Sequence, residues 1–278
     1  SLAPSLESTC VVVPSTAYLD LGSVIDAVLQ AGYHLAGLRM LRESDLPAPF
    51  SKAKSELSSG ESRAVVLKLN KENAVQDFHK LVEATAVLKS VYASPSVEES
   101  AQEVQSVFTS QTSPSLPRCT LFQGTTLAVI KPHVFNAPSP VTGKRETGKI
   151  LDEILHSGRF TITDMEIFHL ETVNAEEFLE VYKDVVPEYQ AMLDQLTAGP
   201  ILVMEISNGQ QQQQDGANAA VTEFRKFCGP TDPELAQHLA PKSLRARFGR
   251  DKVKNAIHCT DLPDDGELEV EYFFKILQ

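Results

Sequence analysis

The chain has 278 residues, of which 42% are hydrophobic, so it is long enough to bury one core and favours two domains. Its formal net charge of -12 argues against general binding to nucleic acid. No apolar run is long enough to span a bilayer, and the Ser-rich start lacks the basic segment of a signal peptide, so we expect a cytoplasmic protein with no membrane contact. Four widely spaced cysteines without metal-type pairs favour reduced thiols over a disulfide framework or a zinc site.

Taken in chain order, the first half predicts elements that the second half repeats. A strand in CVVVP precedes residues 22–41, which read as a glycine, an amphipathic helix, a second glycine and a strand. A strand in TTLAVIKP precedes residues 148–168, which have the same pattern. The strand and helix predicted in residues 58–85 recur in residues 197–231. The chain therefore contains two copies of one structural unit.

Each copy predicts the order strand, helix, strand, strand, helix, strand. This order is typical of the ferredoxin-like α/β sandwich, in which helices cover an antiparallel sheet. The boundary is expected in residues 109–119, where Ser, Thr, Gln and Pro leave little to bury. We therefore predict two tandem domains, residues 1–117 and residues 118–278.

The last segments of the two copies align without a gap. This alignment sets Tyr92 against His258 and Glu103 against Glu269. The sequence around Glu269 is interpreted as a strand. Glu269 is then an acceptor that could orient the His258 ring, as the third member of a catalytic triad orients its base.

The second copy is longer than the first. Residues 228–257 correspond to only a few residues in the first copy. Residues 135–147 and 208–218 are further insertions whose Pro, Gly and Gln content predicts surface loops, and the Gln tract favours flexibility over a binding site.

The extra sequence of the second copy reverses the sign of the local charge. From Arg225 to His258 there are eight basic and three acidic residues in an otherwise acidic chain. A solvated basic face would explain such a cluster if it stood alone. However, His258 ends the cluster, and Asn255, Thr231 and Lys131 could converge with it. The pattern therefore favours a site for an anionic ligand.

Phosphoryl transfer requires a set of this kind. Several fixed cations must hold a triphosphate, usually with Mg²⁺ on the phosphate oxygens, and a nucleophile must face the terminal phosphorus. Arginine offers a planar fork of donors, and lysine supplies a point charge. Imidazole is a competent nucleophile at neutral pH when one ring nitrogen is unprotonated and the other is held by an acceptor.

The second copy contains, in this order, the motifs TTLAVIKP, TAGP, FRKFCGPTDP, PKSLRARFG, NAIHCTD and EVEYFF. In these motifs it resembles the nucleoside diphosphate kinase family. The resemblance implies ATP or another nucleoside triphosphate with Mg²⁺ as the substrate, no metal site in the protein itself, and transfer of a γ-phosphate through a phosphohistidine to a nucleoside diphosphate. It implies that His258 is phosphorylated, that Glu269 supports the imidazole, and that five further residues contact phosphate and ribose: Lys131, Arg225, Thr231, Arg245 and Asn255.

The tandem arrangement is similar to a two-domain ciliary type within this family. That resemblance implies tubulin or other axonemal proteins as partners. It also implies a place in the cytoskeleton, at the axoneme of a cilium or flagellum and at the centrosome or basal body. Two hypotheses follow: an enzyme acting through His258, or a weakly active or inactive structural protein of doublet microtubules that uses the fold as a scaffold.

Some positions depart from the family pattern. The family has an aromatic residue that stacks on the base where this chain has Glu188, and an apolar residue where it has Lys252. In the first copy, Pro14 or a neighbour, His79 and Tyr92 replace the lysine, an arginine and the histidine. We expect His79 and Tyr92 to have lost their polar partners and to be packing or surface residues, and the first copy to serve as a structural domain that pairs with the second as a pseudo-dimer or binds a partner.

Overall fold

The computed structural model describes residues 6–57, 62–111, 113–209 and 218–278. The chain divides into two compact units, one ending at Cys119 and the other running from Thr120 to Gln278. The predicted boundary, after Pro117, lies two residues before this division. Most of the predicted Gln-rich loop, residues 210–217, lies outside the described residues. No helix among the described ranges is both long and apolar enough to cross a membrane.

The first unit is an antiparallel sheet with helices, in the strand order β4-β1-β3-β2. Its strands are β1 (Leu6–Val13), β2 (His34–Arg42), β3 (Arg63–Glu72) and β4 (Tyr92–Ala93). Its helices are α1 (Leu21–Gln30), α2 (Ser51–Glu56), α3 (Ala74–Ala84) and α4 (Val97–Phe108). Four consecutive residues of β1, from Cys10 to Val13, are buried, and since successive side chains point to opposite faces, both faces of this strand are covered.

The second unit repeats that architecture, with its strands in the corresponding order β6-β7-β5-β8. The strands are β5 (Thr126–Ile130), β6 (Thr161–Phe168), β7 (Ile201–Ser207) and β8 (Ile257–Cys259). The helices are α5 (Pro132–Asn136), α6 (Thr147–Leu155), α7 (Thr172–Phe178), α8 (Tyr189–Leu196), α9 (Ala219–Cys228), α10 (Pro233–Leu239), α11 (Leu244–Phe248) and α12 (Gly266–Glu271). The ferredoxin-like fold predicted for both copies is confirmed.

The segment around Glu269 was wrongly interpreted as a strand, because it forms α12 and continues into a π-helical turn, Tyr272–Ile276. Its buried apolar side chains are Val270, Phe273 and Phe274, whose spacing of three and four places one helical face on the core. Leu268, two residues before Val270, is exposed. The helix directs Glu269 back towards β8.

The strand registers align the two units residue by residue. Val12 of β1 is opposite Tyr92 of β4, and Val129 of β5 is opposite His258 of β8. Counting two residues on from each valine places Pro14 at the position of Lys131. The structure therefore agrees with the sequence alignment of the two copies.

A buried carboxylate joins the start of the second unit to its sheet. Glu205 of β7 accepts hydrogen bonds from the backbone N–H groups of Leu121 and Phe122, at 2.8 and 2.7 Å, and from the hydroxyl groups of Thr163 and Thr125. Burial raises the pKa of Glu205 above its usual range. Removing this acceptor leaves two backbone donors without their partner.

We therefore expect Glu205→Ala to lower the free energy of unfolding by about 3 kcal/mol or more, since buried unpaired donors are costly. Urea unfolding followed by circular dichroism measures this, because the chain contains no tryptophan. The exposed Glu176 of α7 is a matched control, and Glu176→Ala should change the value by no more than about 0.5 kcal/mol. Equal midpoints for the two variants would contradict the expectation.

Candidate active site

His258 lies in the middle of β8, with only 9% of its surface exposed. Its Nε2 atom is 2.6 Å from Oε1 of Glu269 on α12. A carboxylate only accepts, so Nε2 carries the hydrogen and the lone pair of the neutral ring is on Nδ1. The ring of Phe178, on α7, packs edge-on against the imidazole with the ring centroids 5.1 Å apart. These contacts fix the imidazole with Nδ1 as the nucleophilic atom.

The first unit keeps the carboxylate of this pair. The Tyr92 hydroxyl donates to Glu103 at 2.6 Å, and the Ser94 hydroxyl donates to the other oxygen of Glu103 at 2.7 Å. His79 Nε2 is 3.0 Å from the Ser94 carbonyl. The expectation that His79 and Tyr92 have lost their polar partners is therefore wrong. In the first unit a phenol occupies the place of the imidazole, and the phenol is not a comparable nucleophile.

Three of the predicted ligand-binding residues line one cavity of about 560 Å³ in the second unit. Arg225 extends from α9 with 56% of its side chain exposed, Thr231 follows α9, and Arg245 lies on α11. Lys226 adds a further exposed cation to the wall. The His258 side chain does not line this cavity, but Asp261, three residues beyond it, does. The cavity offers cations and a hydroxyl to an anion.

Arg245 mainly braces the strand that carries the histidine. It is 5% exposed, and its Nε and Nη2 atoms donate to the Ile257 carbonyl at 3.1 and 3.0 Å. Nη1 donates to the Gly229 carbonyl at 2.9 Å. Three of its donor atoms are thus engaged with backbone carbonyls. The resemblance predicted a contact to the nucleotide, whereas these contacts position β8 beside the cavity.

Lys131 directly follows β5, and Asn255 lies two residues before β8. The Lys131 ammonium group donates to the Val253 carbonyl at 3.1 Å, and burial together with the nearby Arg245 lowers its pKa to about 7. Asn255 Nδ2 donates to the Thr231 carbonyl at 3.0 Å. The buried Oδ1 atom of Asn255 has no hydrogen-bond partner in the described part of the chain. Asn255 is not among the described residues that line the cavity.

His133 was not identified from the sequence, although it holds the loop before His258. Its Nε2 accepts a hydrogen bond from the Ala256 N–H at 3.0 Å, and Ala256 has a φ of 75°, which favours glycine. Burial and the nearby Arg250 and Lys131 lower the pKa of His133 to about 3, so the ring stays neutral and can accept. The missed signal was the position of His133 directly after the KP of TTLAVIKP.

Asp261 was also missed. The Tyr182 hydroxyl donates to its carboxylate, and Arg225 Nε lies 3.8 Å from its second oxygen. The base-stacking positions contribute little: Lys252 is exposed, Glu188 is half-buried, and neither lines the cavity. The structure therefore assembles the groups suited to phosphate more completely than those suited to a base.

The comparisons with known proteins agree with this geometry. A family model described as nucleoside diphosphate kinase matches residues 124–277. The chain is 32% identical to nucleoside diphosphate kinase homolog 7 of Rattus norvegicus, over 98% of the chain and 72% of that protein. The chain belongs to the nucleoside diphosphate kinase family.

Other known proteins are similar to smaller shares of the chain. The nucleoside diphosphate kinase of Aquifex aeolicus is 33% identical, over 55% of this chain and 95% of that protein. A crystal structure of the Aquifex enzyme aligns with a TM-score of 0.45, over 55% of this chain and 96% of that chain. Thioredoxin domain-containing protein 3 of Homo sapiens is 29% identical, over 75% of this chain and 33% of that protein.

The donor set of this family member suits Mg²⁺ that arrives on the nucleotide. Within the described ranges there is no group of three His, Cys, Asp or Glu residues that could hold a metal ion. Among the described residues, Asp261 is the one carboxylate in the wall of the cavity. Since Mg²⁺ prefers oxygen ligands and is often bound through one carboxylate plus phosphates, Asp261 and the nucleotide could share the ion.

We predict that Lys131 makes binding of a nucleotide depend on pH. A polyanion favours the ammonium form of Lys131. Well below the pKa of about 7 the free protein already has this form, whereas above that pKa the lysine must take up a proton when the anion binds. We expect the affinity for ATP to fall by up to about tenfold per pH unit from about pH 7 to 9. Titration of a fluorescent ATP analogue measures this, and Lys131→Arg, which stays protonated, should flatten the profile. A flat wild-type profile would contradict the expectation.

Proposed function

We propose that the second unit transfers the γ-phosphate of a nucleoside triphosphate to a nucleoside diphosphate through phosphorylated His258. The observation that carries the proposal is the 2.6 Å hydrogen bond between Nε2 of His258 and Glu269, which leaves the lone pair of the neutral ring on Nδ1. The cationic cavity lined by Arg225, Lys226 and Arg245 supplies the binding site for phosphates, and Asp261, three residues beyond the histidine, contributes to its wall.

The transfer proceeds in two steps, phosphorylation of His258 and transfer of the phosphate to a second nucleoside diphosphate. Nδ1 of His258 attacks the γ-phosphorus, the N–P bond forms, and the bond between that phosphorus and the bridging oxygen breaks. The electron pair leaves on the terminal oxygen of the nucleoside diphosphate. Glu269 stabilises the positive charge that the ring acquires while Nε2 keeps its proton. A second nucleoside diphosphate reverses these events and restores the free imidazole.

Cations around the cavity stabilise the charge on the phosphates. Arg225 and Lys226 are exposed and can turn towards a ligand, and Thr231 adds a hydroxyl donor. Lys131 takes up a proton from the solvent when the incoming anion stabilises its ammonium form, and so adds a charge from the buried side. Fixed donors aimed at developing charge are the main source of catalysis in phosphoryl transfer.

Because Glu188 and Lys252 occupy the base-stacking positions, we expect the site to discriminate only weakly between bases. An aromatic face contributes about 1 to 3 kcal/mol per base in single-stranded nucleic-acid complexes, and Glu188 cannot supply it. Phosphate contacts do not depend on that face. The proposal therefore includes similar use of ATP and GTP, with weaker binding than an aromatic clamp would give.

The test is a pulse and chase with γ-labelled ATP and Mg²⁺. The full chain should acquire an acid-labile label, which GDP then removes with formation of labelled GTP. Absence of label at saturating ATP would overturn the proposal. Label that GDP cannot discharge would overturn the transfer step while leaving phosphorylation of the histidine in place.

A structural role is the second candidate, and the first unit favours it. That unit keeps the complete fold and the Tyr92–Glu103 bond but has Pro14 where the second unit has Lys131. We propose that it serves as a scaffold, by pairing with the second unit or by binding tubulin or another axonemal protein of a cilium or flagellum. Retention of the protein on salt-washed axonemes supports this role, whereas release in mild salt counts against it.

A further inference from the structure

An open groove separates α12 from the segment that follows α7 in the second unit. Its volume is about 560 Å³, and four aliphatic residues at its surface are largely exposed. These residues are Val181, Val185, Leu262 and Leu268, with 71%, 74%, 59% and 62% exposure. Exposed aliphatic residues gathered along one groove mark a binding surface more often than scattered ones do.

The groove is a different feature from the cationic cavity. The two share only Asp261 and Leu262, which lie at their common border. The cavity is lined by Arg225, Lys226 and Arg245, whereas the described residues that line the groove include no lysine or arginine. A phosphate ligand therefore suits the cavity and not the groove.

Acidic residues surround the groove. Glu177, Asp261, Asp265 and Glu269 contribute to its walls. The two chain segments that form it, residues 171–188 and 261–271, together contain twelve acidic residues and one lysine, in a chain whose formal net charge is -12. The negative charge of the chain is thus concentrated beside its exposed aliphatic groove. Such a surface repels nucleic acids and anionic lipids and attracts cations.

The partner that fits both properties is an amphipathic basic segment. We propose that this groove binds a helical peptide segment of a partner protein, with aliphatic side chains in the groove and lysine or arginine side chains towards the acidic rim. Helical segments commonly bind grooves through aliphatic anchors spaced three and four residues apart. The charges add specificity and speed of association, and the aliphatic contacts add affinity. This inference does not depend on phosphoryl transfer by His258.

The probe is a fluorescein-labelled synthetic helix of leucine and lysine, about four turns long, with its leucines on one face. Anisotropy titration with the full chain should show saturable binding that weakens about tenfold or more between about 50 and 300 mM salt. A scrambled peptide of the same composition should bind at least about tenfold more weakly, and a leucine–glutamate peptide should not bind. Equal binding of the scrambled peptide would overturn the proposal, because it would show charge attraction alone.

Substitutions in the groove locate the binding surface. Val185→Ser combined with Leu268→Ser should weaken binding of the probe at least about tenfold, as expected for central anchors. Leu239→Ser is the matched control, because Leu239 is 70% exposed on α10 and lies outside the groove, and it should leave binding unchanged. All three replaced residues are exposed, so circular dichroism should show intact folds. Unchanged binding of the probe by the double variant would overturn the proposal. So would binding of the full chain to vesicles of anionic phospholipid in preference to the probe.

Discussion

Replacing His258 by alanine should reduce formation of the acid-labile phosphoenzyme by about four orders of magnitude or more, because the variant has no nucleophile. The fold should survive the change, since the imidazole contacts Glu269 and Phe178 at the edge of the core and its removal breaks no bond within the sheet. Pulse labelling with γ-labelled ATP, compared with the wild type at equal circular dichroism, measures the effect. Label that persists in the variant would place the phosphate on another residue.

The first unit provides a control within the same chain. Tyr92→His, made together with His258→Ala, creates a second pair of imidazole and carboxylate with Glu103, which already accepts a bond at 2.6 Å. We expect no label, because Pro14 stands at the position of Lys131 and the basic segment is absent from this copy. Labelling of this double variant would show that an imidazole backed by a carboxylate suffices without the cationic cavity.

The fold could be predicted from the sequence because its two copies impose the same periodicity on different residues. The helices before β2 and β6 have the same glycine flanks, and the gapless last segment fixed the correspondence of Tyr92 and His258 before any register was known. The segment of α12 was interpreted as a strand, whereas it is helical. Burial of Val270 and Phe273, three residues apart, decides the matter only once the core is known.

The candidate site could be predicted by residue identity but not by role. Arg245 carries a cation, and nothing in its spacing shows that three of its donor atoms contact backbone carbonyls. His133 lies 123 residues before the Ala256 N–H that donates to it, so only tertiary structure joins them. The same holds for Tyr182 and Asp261, which are 79 residues apart. Roles that depend on such long-range contacts leave no periodic signal in one sequence.

The contacts of Arg245 predict a second large effect. Arg245→Met should lower the free energy of unfolding by about 3 to 5 kcal/mol, because it leaves the carbonyls of Ile257 and Gly229 buried without their donors. Labelling of His258 should fall at least about a hundredfold even where the variant is folded, since Ile257 precedes the nucleophile on β8. Urea unfolding by circular dichroism and pulse labelling below the transition measure the two effects separately.

Two further substitutions distinguish stabilisation by the hydrogen bonds of Arg245 from stabilisation by its charge alone. Arg245→Lys keeps the charge but loses the planar fork that reaches two carbonyls at once, so it should recover only part of the lost stability. Arg247, on the same helix, is 41% exposed and pairs with Glu153 at 2.7 Å, and Arg247→Met should cost no more than about 1 kcal/mol because a solvated ion pair contributes little. Equal unfolding midpoints for Arg245→Met and Arg247→Met would contradict stabilisation by the hydrogen bonds of Arg245. Full recovery by Arg245→Lys would instead show that the charge alone matters, because a lysine retains the charge while losing the forked contact with β8.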